Sequence, residues 1–124
     1  MDRKARIVAG EGKDMTDREL LEAAAKAAGL PHQWCDAWNT MAKPRPDGGF
    51  FFDKVWNPLT DDGAAFRLAV KLKIGVLHRS SGIEAHSFKN RLIICNEECA
   101  EGLDYCAATR RAIVRAAAEI GRNT

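Results

Sequence analysis

The sequence predicts an α+β fold in which helices sandwich a small antiparallel sheet. Three segments carry helix-start or helix-stop signals, and four short segments are rich in the β-branched and aromatic residues that favour strands. The last three strand segments follow one another closely, as in an antiparallel meander. The predicted order is therefore helix, strand, helix, three strands and helix.

The size and composition of the chain indicate one domain. Its 124 residues are 46% hydrophobic and 29% charged, which is typical of a globular protein with a single core. Residues 1–14 are charged, contain glycines and show no helical or strand period, so they are predicted to form a flexible N-terminal extension. Residues 15–124 are predicted to form one α+β sandwich domain.

The charge balance and the lack of targeting signals restrict the partners and the compartment. The 19 Lys and Arg against 17 Asp and Glu give a net charge of +2, too small to indicate a nucleic-acid or membrane partner. No apolar run approaches the roughly 20 residues that span a bilayer, and residues 1–14 lack the apolar core of a secretory signal. We therefore expect a cytoplasmic protein with reduced cysteines.

The first helix is predicted to begin after Thr16 and to end at Gly29. Thr16 and Glu19 have the spacing of a capping box, in which each side chain accepts a free backbone N–H at the helix start. Gly29, followed by Leu30 and Pro31, is typical of a left-handed helix end. The many alanines between these signals imply a close approach to a neighbouring element.

The next segment holds two tryptophans, two prolines and a Gly-Gly pair within residues 31–49, which predicts a short helical turn followed by an irregular loop. Residues 50–56 include three phenylalanines, a valine and a tryptophan between turn residues, and they are assigned to a strand.

The second helix is predicted to have Thr60 as its N-cap, with Asp61 and Asp62 in its first turn, where carboxylates interact favourably with the helix dipole. Its body is apolar around more than half of its circumference and leaves Arg67 and Lys71 as the polar strip. Such a pattern predicts a largely buried helix.

A hairpin and a last helix complete the prediction. Residues 74–79 and 83–88 flank a Ser-Ser-Gly turn, and residues 91–95 supply a third strand. The last helix is predicted from near Leu103 to Ile120, with Gly121 ending it.

Three stretches resemble a known group of proteins: MTDRELLEAAAKAAG at 15–29, WNPLTDDG at 56–63 with RLAVKL at 67–72, and TRRAIVRAAAEIG at 109–121. Together they are similar to small phage and prophage proteins of the phage ABA sandwich domain family. The WNPLTDDG run is the most specific part. The resemblance implies a helix–sheet–helix sandwich of phage or prophage origin, in a family whose role is mostly unassigned, and it supplies no catalytic residues. The extension 1–14 and the Trp- and Cys-containing insertion after Leu30 depart from the family.

The run that begins at Trp56 is the first candidate site. Trp56 would be a stacking platform beside Asn57 and the polar residues of the helix start, a place where ligands bind. A turn at Asn57, helix capping and a tryptophan in the core explain the same residues without a ligand, and this structural interpretation is favoured.

The four cysteines, Cys35, Cys95, Cys99 and Cys106, are the second candidate. With Cys35 or a histidine as the fourth ligand, Cys95, Cys99 and Cys106 could hold zinc, but their spacing is not that of a CxxC pair. Because Cys106 is predicted to lie on the core-leaning flank of the last helix, small buried side chains are the favoured interpretation. A reactive thiol stays open, and no metal or other cofactor is expected.

Arginines of the last helix form the third candidate. Arg110, Arg111 and Arg115 are predicted to lie away from its apolar face, and guanidinium groups suit phosphates or acidic partners. Acidic residues at Asp104 and Glu119 have the spacing of ordinary helix-surface ion pairs, so a solvated face is the favoured interpretation.

The insertion after the first helix is the fourth candidate, with Trp34, Trp38, Lys43 and Arg45. Tryptophan is enriched in interaction hot spots, and tryptophans beside basic residues can receive a protein or a nucleotide base. The same residues could instead close over a small core.

The three histidines stand in none of the familiar catalytic motifs, neither a nucleophile elbow nor a His-Glu-x-x-His helix, and the chain has no P-loop. The sequence therefore favours a non-enzymatic phage accessory protein that acts by binding, for example a counter-defence inhibitor of a host immune complex. The expected partner is a host protein or a defence-related ligand. Two alternatives stay open: a module that sequesters a small nucleotide near Trp56 or the arginines, and a nucleic-acid-binding protein.

Overall fold

The computed structural model describes residues 15–80, 82–87, 94–98 and 104–123, and within 94–98 it describes the side chain of Glu97 alone. The predicted extension 1–14, Cys99 and the predicted helix start at Leu103 lie outside these residues. The described part has the predicted α+β class, with these elements in chain order: α1 (Asp17–Ala28), β1 (Gln33–Cys35), β2 (Thr40–Pro44), β3 (Phe50–Trp56), α2 (Asp62–Leu72), β4 (Ile74–Arg79), β5 (Gly82–Ser87), β6 (Ile94–Glu98) and α3 (Tyr105–Arg122).

The strands form two antiparallel sheets of three strands each, in the orders β1-β2-β3 and β4-β5-β6. The predicted loop at 31–49 is therefore wrong, because it contains β1 and β2. Asn39 adopts a left-handed conformation (φ 53°) that reverses the chain between the two strands. Pro44 is tolerated because it ends β2, where the β2–β3 register shifts.

The second sheet follows the prediction closely. The predicted hairpin is formed by β4 and β5: His78 pairs with Ile83 next to the turn, and the register runs without a shift from Ile74 to Arg79. The third strand, predicted at 91–95, is observed at Ile94–Glu98, and residues 91–93 lie outside the described part.

Helix α1 begins and ends as predicted. The Thr16 hydroxyl accepts the Glu19 N–H at 3.1 Å, and the Glu19 carboxylate accepts the Thr16 N–H at 2.9 Å. Gly29 closes the helix in the left-handed conformation, with φ at 70°. The capping box and the glycine cap are both confirmed.

Helix α3 lies at the centre of the molecule, since it packs against α1, α2 and the β4-β5-β6 sheet. Its middle is consequently buried on all sides, including Arg115 and Glu119, each 1% exposed. The predicted solvated face is wrong at these two positions. The sequence shows charged residues there, but both lie in the buried middle of α3, and the Glu97 carboxylate of β6 accepts a hydrogen bond from Arg115.

The end of α3 also differs from the prediction. The helix continues to Arg122, so Gly121 lies inside it and not at its end. A Cβ atom at position 121 would come within 2.1 Å of the Ala23 carbonyl oxygen. Gly121 therefore permits the close approach of α1 and α3 that the alanines of α1 imply.

Helix α2 corrects two further predictions. Its N-cap is Asp61, which accepts the Gly63 N–H at 3.0 Å, whereas the Thr60 hydroxyl donates to the Asn57 carbonyl. The helix is also less buried than its apolar composition predicts, because Phe66 and Val70 are 68% and 57% exposed.

No helix in the described ranges is long and apolar enough to cross a membrane.

Candidate functional site

A groove lies between α2, β4 and α3, called here the α2–β4–α3 groove. Its volume is about 960 Å³. The floor consists of small and aliphatic side chains from all three elements: Ala65, Ala69, Ile74, Val76 and Ile113. The rim carries large apolar side chains that are exposed to solvent: Phe66, Val70 and Tyr105.

The groove follows from two sequence patterns, one on α2 and one on β4. Ala65 and Ala69 are four residues apart on α2, and each is followed by a large apolar residue that stands beside the small one. On β4, Ile74 and Val76 alternate onto one face of the strand. Because alanine fills little volume on α2, the space between that helix and β4 remains open.

The charges of the groove are unevenly balanced. Arg110 donates to the Asp62 carboxylate at 2.6 Å and to the Leu59 carbonyl at 2.7 Å, so these two opposite charges compensate each other. The ammonium group of Lys73 has no hydrogen-bond or ion-pair partner in the part of the chain that the structure describes. The groove therefore presents one uncompensated positive charge on an apolar surface.

The cysteine side chains are predicted to be small and buried, and this prediction is right for one described thiol and wrong for another. Cys35 is buried on β1, as a small apolar side chain would be, whereas Cys106 is exposed and lines the groove. The predicted core-leaning position of Cys106 is wrong, because its side chain is exposed at the open groove. Within the described ranges, no group of three His, Cys, Asp or Glu side chains could hold a metal ion.

A second, smaller concavity of about 540 Å³ lies between α1 and β1 and includes Trp34 and His32. The Trp34 ring packs against the core, its indole N–H donates to Asp36 at 3.0 Å, and the Arg18 guanidinium lies 5.6 Å from the ring centroid. The ring of His32 lies 6.2 Å from that of Trp56. The predicted residues Trp34 and Trp56 are thus both near His32, on the α1 side of the first sheet.

Burial lowers the pKa of His32, and the nearby positive charge of Lys43 lowers it further, while the Lys54 backbone partly opposes both. A histidine whose folded pKa is lowered disfavours the folded state when it becomes protonated. We expect the free energy of unfolding to fall between pH 7.5 and pH 5.5 more steeply in the wild type than in His32→Gln. Urea unfolding at the two pH values measures this difference, and equal losses in both proteins would contradict the expectation.

The other predicted residues of the insertion are spread over the first sheet. Trp38 stands in the β1–β2 turn with its ring 6.4 Å from that of Phe50. Lys43 is exposed on β2, and Arg45 pairs with Asp47 at 2.8 Å in the following loop. These side chains do not converge on a pocket with Trp34.

Asn57 forms the turn before α2. Its side-chain oxygen accepts the Leu59 N–H at 3.0 Å, and its carbonyl accepts the N–H groups of Thr60 and Asp61. These contacts agree with the structural interpretation of this run, and they occupy Asn57 within the chain.

The three arginines predicted as a site, out of four on α3, do not act together. Arg110 lies at the end of the groove, and Arg111 pairs with Asp17 of α1 at 3.1 Å on the surface. Arg115 donates to Glu97 at 2.6 Å inside the protein. The structure therefore brings one of the three into contact with a concave surface.

No protein-family model, no curated protein and no solved structure matches this chain. The α2–β4–α3 groove is not among the sites predicted from the sequence, although the sequence of α2 carries one sign of it. When a helix is apolar around most of its circumference, either its neighbours cover several of its faces or some apolar side chains stay exposed. In α2, apolar side chains stay exposed.

Proposed function

We propose that this protein acts by binding a partner protein through the α2–β4–α3 groove. The observation that carries the proposal is the pair of large apolar side chains, Phe66 and Val70, exposed beside a concave apolar floor. Contiguous exposed apolar surface of this kind typically marks an interaction site. The high exposure of the rim favours an extended partner segment over a small molecule, since small molecules are usually enclosed by their pockets.

The wider role that we propose is the one expected from the sequence, since the resemblance by itself implies a phage origin and no particular role. Under this proposal the protein is a non-enzymatic phage or prophage accessory protein, and its partner is a host protein such as a component of an immune complex. The groove supplies a surface through which such a protein could bind its target stoichiometrically. It would supply the same surface for any other partner protein, so the identity of the partner has to come from capture experiments.

Matched surface variants test the groove. Phe66→Ser/Val70→Ser removes its rim, whereas Phe52→Ser/Val55→Ser removes an equally exposed pair on β3, where Phe52 and Val55 are 79% and 51% exposed. We expect the wild type and the β3 variant to capture at least one host protein. The groove variant should capture about tenfold less of that protein, or even less. Quantitative mass spectrometry of the captured proteins measures this ratio.

The three proteins should have similar unfolding midpoints, since exposed substitutions usually change stability little. Equal capture by all three, or capture lost only in the β3 variant, would overturn the proposal.

The concavity beside Trp34 favours a second candidate, the sequestration of a small nucleotide. Its lining combines the Trp34 ring with the basic side chains of Arg18 and Lys26. A nucleotide present at 100 times its dissociation constant would add about 2.7 kcal/mol to the free energy of unfolding. Thermal-shift measurements with mononucleotides and cyclic nucleotides test this candidate, and Trp34→Leu should abolish any shift.

A further inference from the structure

Strand β4 is an edge of its sheet, because β5 alone pairs with it among the described residues. Its first four residues, Ile-Gly-Val-Leu, contain no charge and no proline, and the β4–β5 register has no irregularity. An edge strand of this kind presents unpaired backbone N–H and C=O groups that can template another strand.

The other sheet edges have features that discourage pairing. Strand β1 has three residues, β3 places Asp53 and Lys54 at its centre beside a register shift, and β6 carries Glu97 and Glu98. Short length, charges and bulges are the devices by which natural sheets protect their edges. Within the described part, β4 has the longest edge stretch without a charge, a bulge or a proline, since its one charged residue, Arg79, stands at its last position.

The groove lies on the face of β4 that an added strand would extend. Ile74, Val76 and His78 line it, and they lie on the same face of the sheet as the buried Ile83 and Ala85 of β5. A further strand would lie about 4.8 Å from β4 and would place alternate side chains on this face. Those side chains would contact Phe66 and Val70 across the groove.

We propose that the partner segment binds as a fourth strand of the second sheet, paired with the free edge of β4. This inference rests on the proposed function and specifies its partner as an extended segment with alternating apolar residues. The segment carries an acidic residue beside Lys73, because that ammonium group is uncompensated and residues 73–79 contain no acidic side chain.

A strand also fits this edge better than a helix does. A helix in the groove would remove the outer backbone groups of β4 from water without supplying hydrogen bonds, and such unpaired groups are costly. An extended segment supplies those bonds with its own backbone while its apolar side chains fill the groove.

Synthetic peptides test the mode of binding directly. The first probe is a fluorescein-labelled Glu-Val-Thr-Val-Thr-Val-Glu peptide, the second has lysine in place of both glutamates, and the third is an acidic helical peptide with leucines three and four residues apart. We expect the first to bind at least tenfold more tightly than the other two by fluorescence anisotropy. Hydrogen exchange at residues 74–79 should slow when it binds.

Three variants locate the contact. Lys73→Glu should reverse the preference between the Glu-ended and Lys-ended peptides, whereas Lys71→Glu, on the exposed side of α2, should not. Val70→Asp should weaken the first peptide about tenfold or more, whereas Val55→Asp, at a similarly exposed valine of β3, should leave it unchanged.

The outcomes separate this inference from the proposed function. Tighter binding of the helical peptide that still depends on Val70 would overturn strand addition and leave the groove as the binding surface. A wild-type chain that dimerises in sedimentation, with β4 protected in the dimer, would replace the partner protein with a second copy and would also overturn the inference. Peptide binding insensitive to Val70→Asp, or no binding of the strand peptide at millimolar concentration, would overturn it as well.

Discussion

Replacing Arg115 with methionine is expected to lower the free energy of unfolding by about 3–5 kcal/mol. The side chain of Arg115 is 1% exposed and donates to Glu97 at 2.6 Å across the contact between α3 and β6. Glu119, also 1% exposed, lies one turn further along the same helix. Removing the guanidinium therefore leaves buried or half-buried carboxylates with less positive charge nearby, and a carboxylate without a partner is costly in the interior.

Arg111→Met is the matched control for this prediction, because it makes the same substitution one turn earlier in α3. The Arg111–Asp17 pair is 3.1 Å long, with side chains 36% and 65% exposed, and exposed ion pairs contribute at most about 1 kcal/mol. Urea unfolding of the two variants measures the difference. A loss below about 1 kcal/mol for Arg115→Met would contradict the interior role that its burial indicates.

A double variant separates the ion pair from the rest of the Arg115 environment. If the cost comes mainly from the carboxylate left at β6, adding Glu97→Gln to Arg115→Met should restore part of the lost stability, since a neutral amide is cheaper to bury than a carboxylate. Additive losses from the two substitutions would instead indicate that Arg115 acts through its other contacts and its packing.

The parts of the fold that could be predicted from the sequence are those that depend on neighbours in the chain. The capping box of Thr16 and Glu19, the glycine cap at Gly29 and the hairpin that pairs His78 with Ile83 each arise within a few residues. Local hydrogen bonds and backbone conformations decide such features, so a local pattern is sufficient to predict them.

The features that the sequence did not predict depend on which elements meet. Charged residues at positions 115 and 119 resemble a solvated helix face, but the packing of α3 against α1, α2 and the second sheet buries both of them. The groove likewise depends on which elements meet, because the elements that pack against α2 do not cover all of its apolar surface. Propensity and periodicity describe one element at a time, whereas tertiary packing decides which of its faces are buried.

Substituting Gly121 with alanine should destabilise the protein, although alanine favours a helix over glycine by about 1 kcal/mol. The added Cβ would lie 2.1 Å from the carbonyl oxygen and 3.0 Å from the carbonyl carbon of Ala23, and 3.4 Å from the Ala27 nitrogen. All three are backbone atoms of α1, so no side-chain rotation can relieve the contact and the two helices have to separate. Overpacking of this kind typically costs about 1–3 kcal/mol and sometimes more, so after the gain of about 1 kcal/mol from helix propensity we expect a net loss of about 2 kcal/mol.

Gly63→Ala provides the opposite case within the same fold. Its added Cβ would meet the end of the flexible Arg67 side chain at 3.2 Å, and the position lies in the first turn of α2. We expect the free energy of unfolding to stay constant or to rise by up to about 1 kcal/mol, because the Arg67 side chain can move aside and alanine loses less backbone entropy on folding. Chemical denaturation of both variants compares the two glycines. Equal free energies of unfolding for Gly121→Ala and Gly63→Ala would contradict the close approach of α1 and α3 at Gly121. The central position of α3 beneath the groove would then have to be revised.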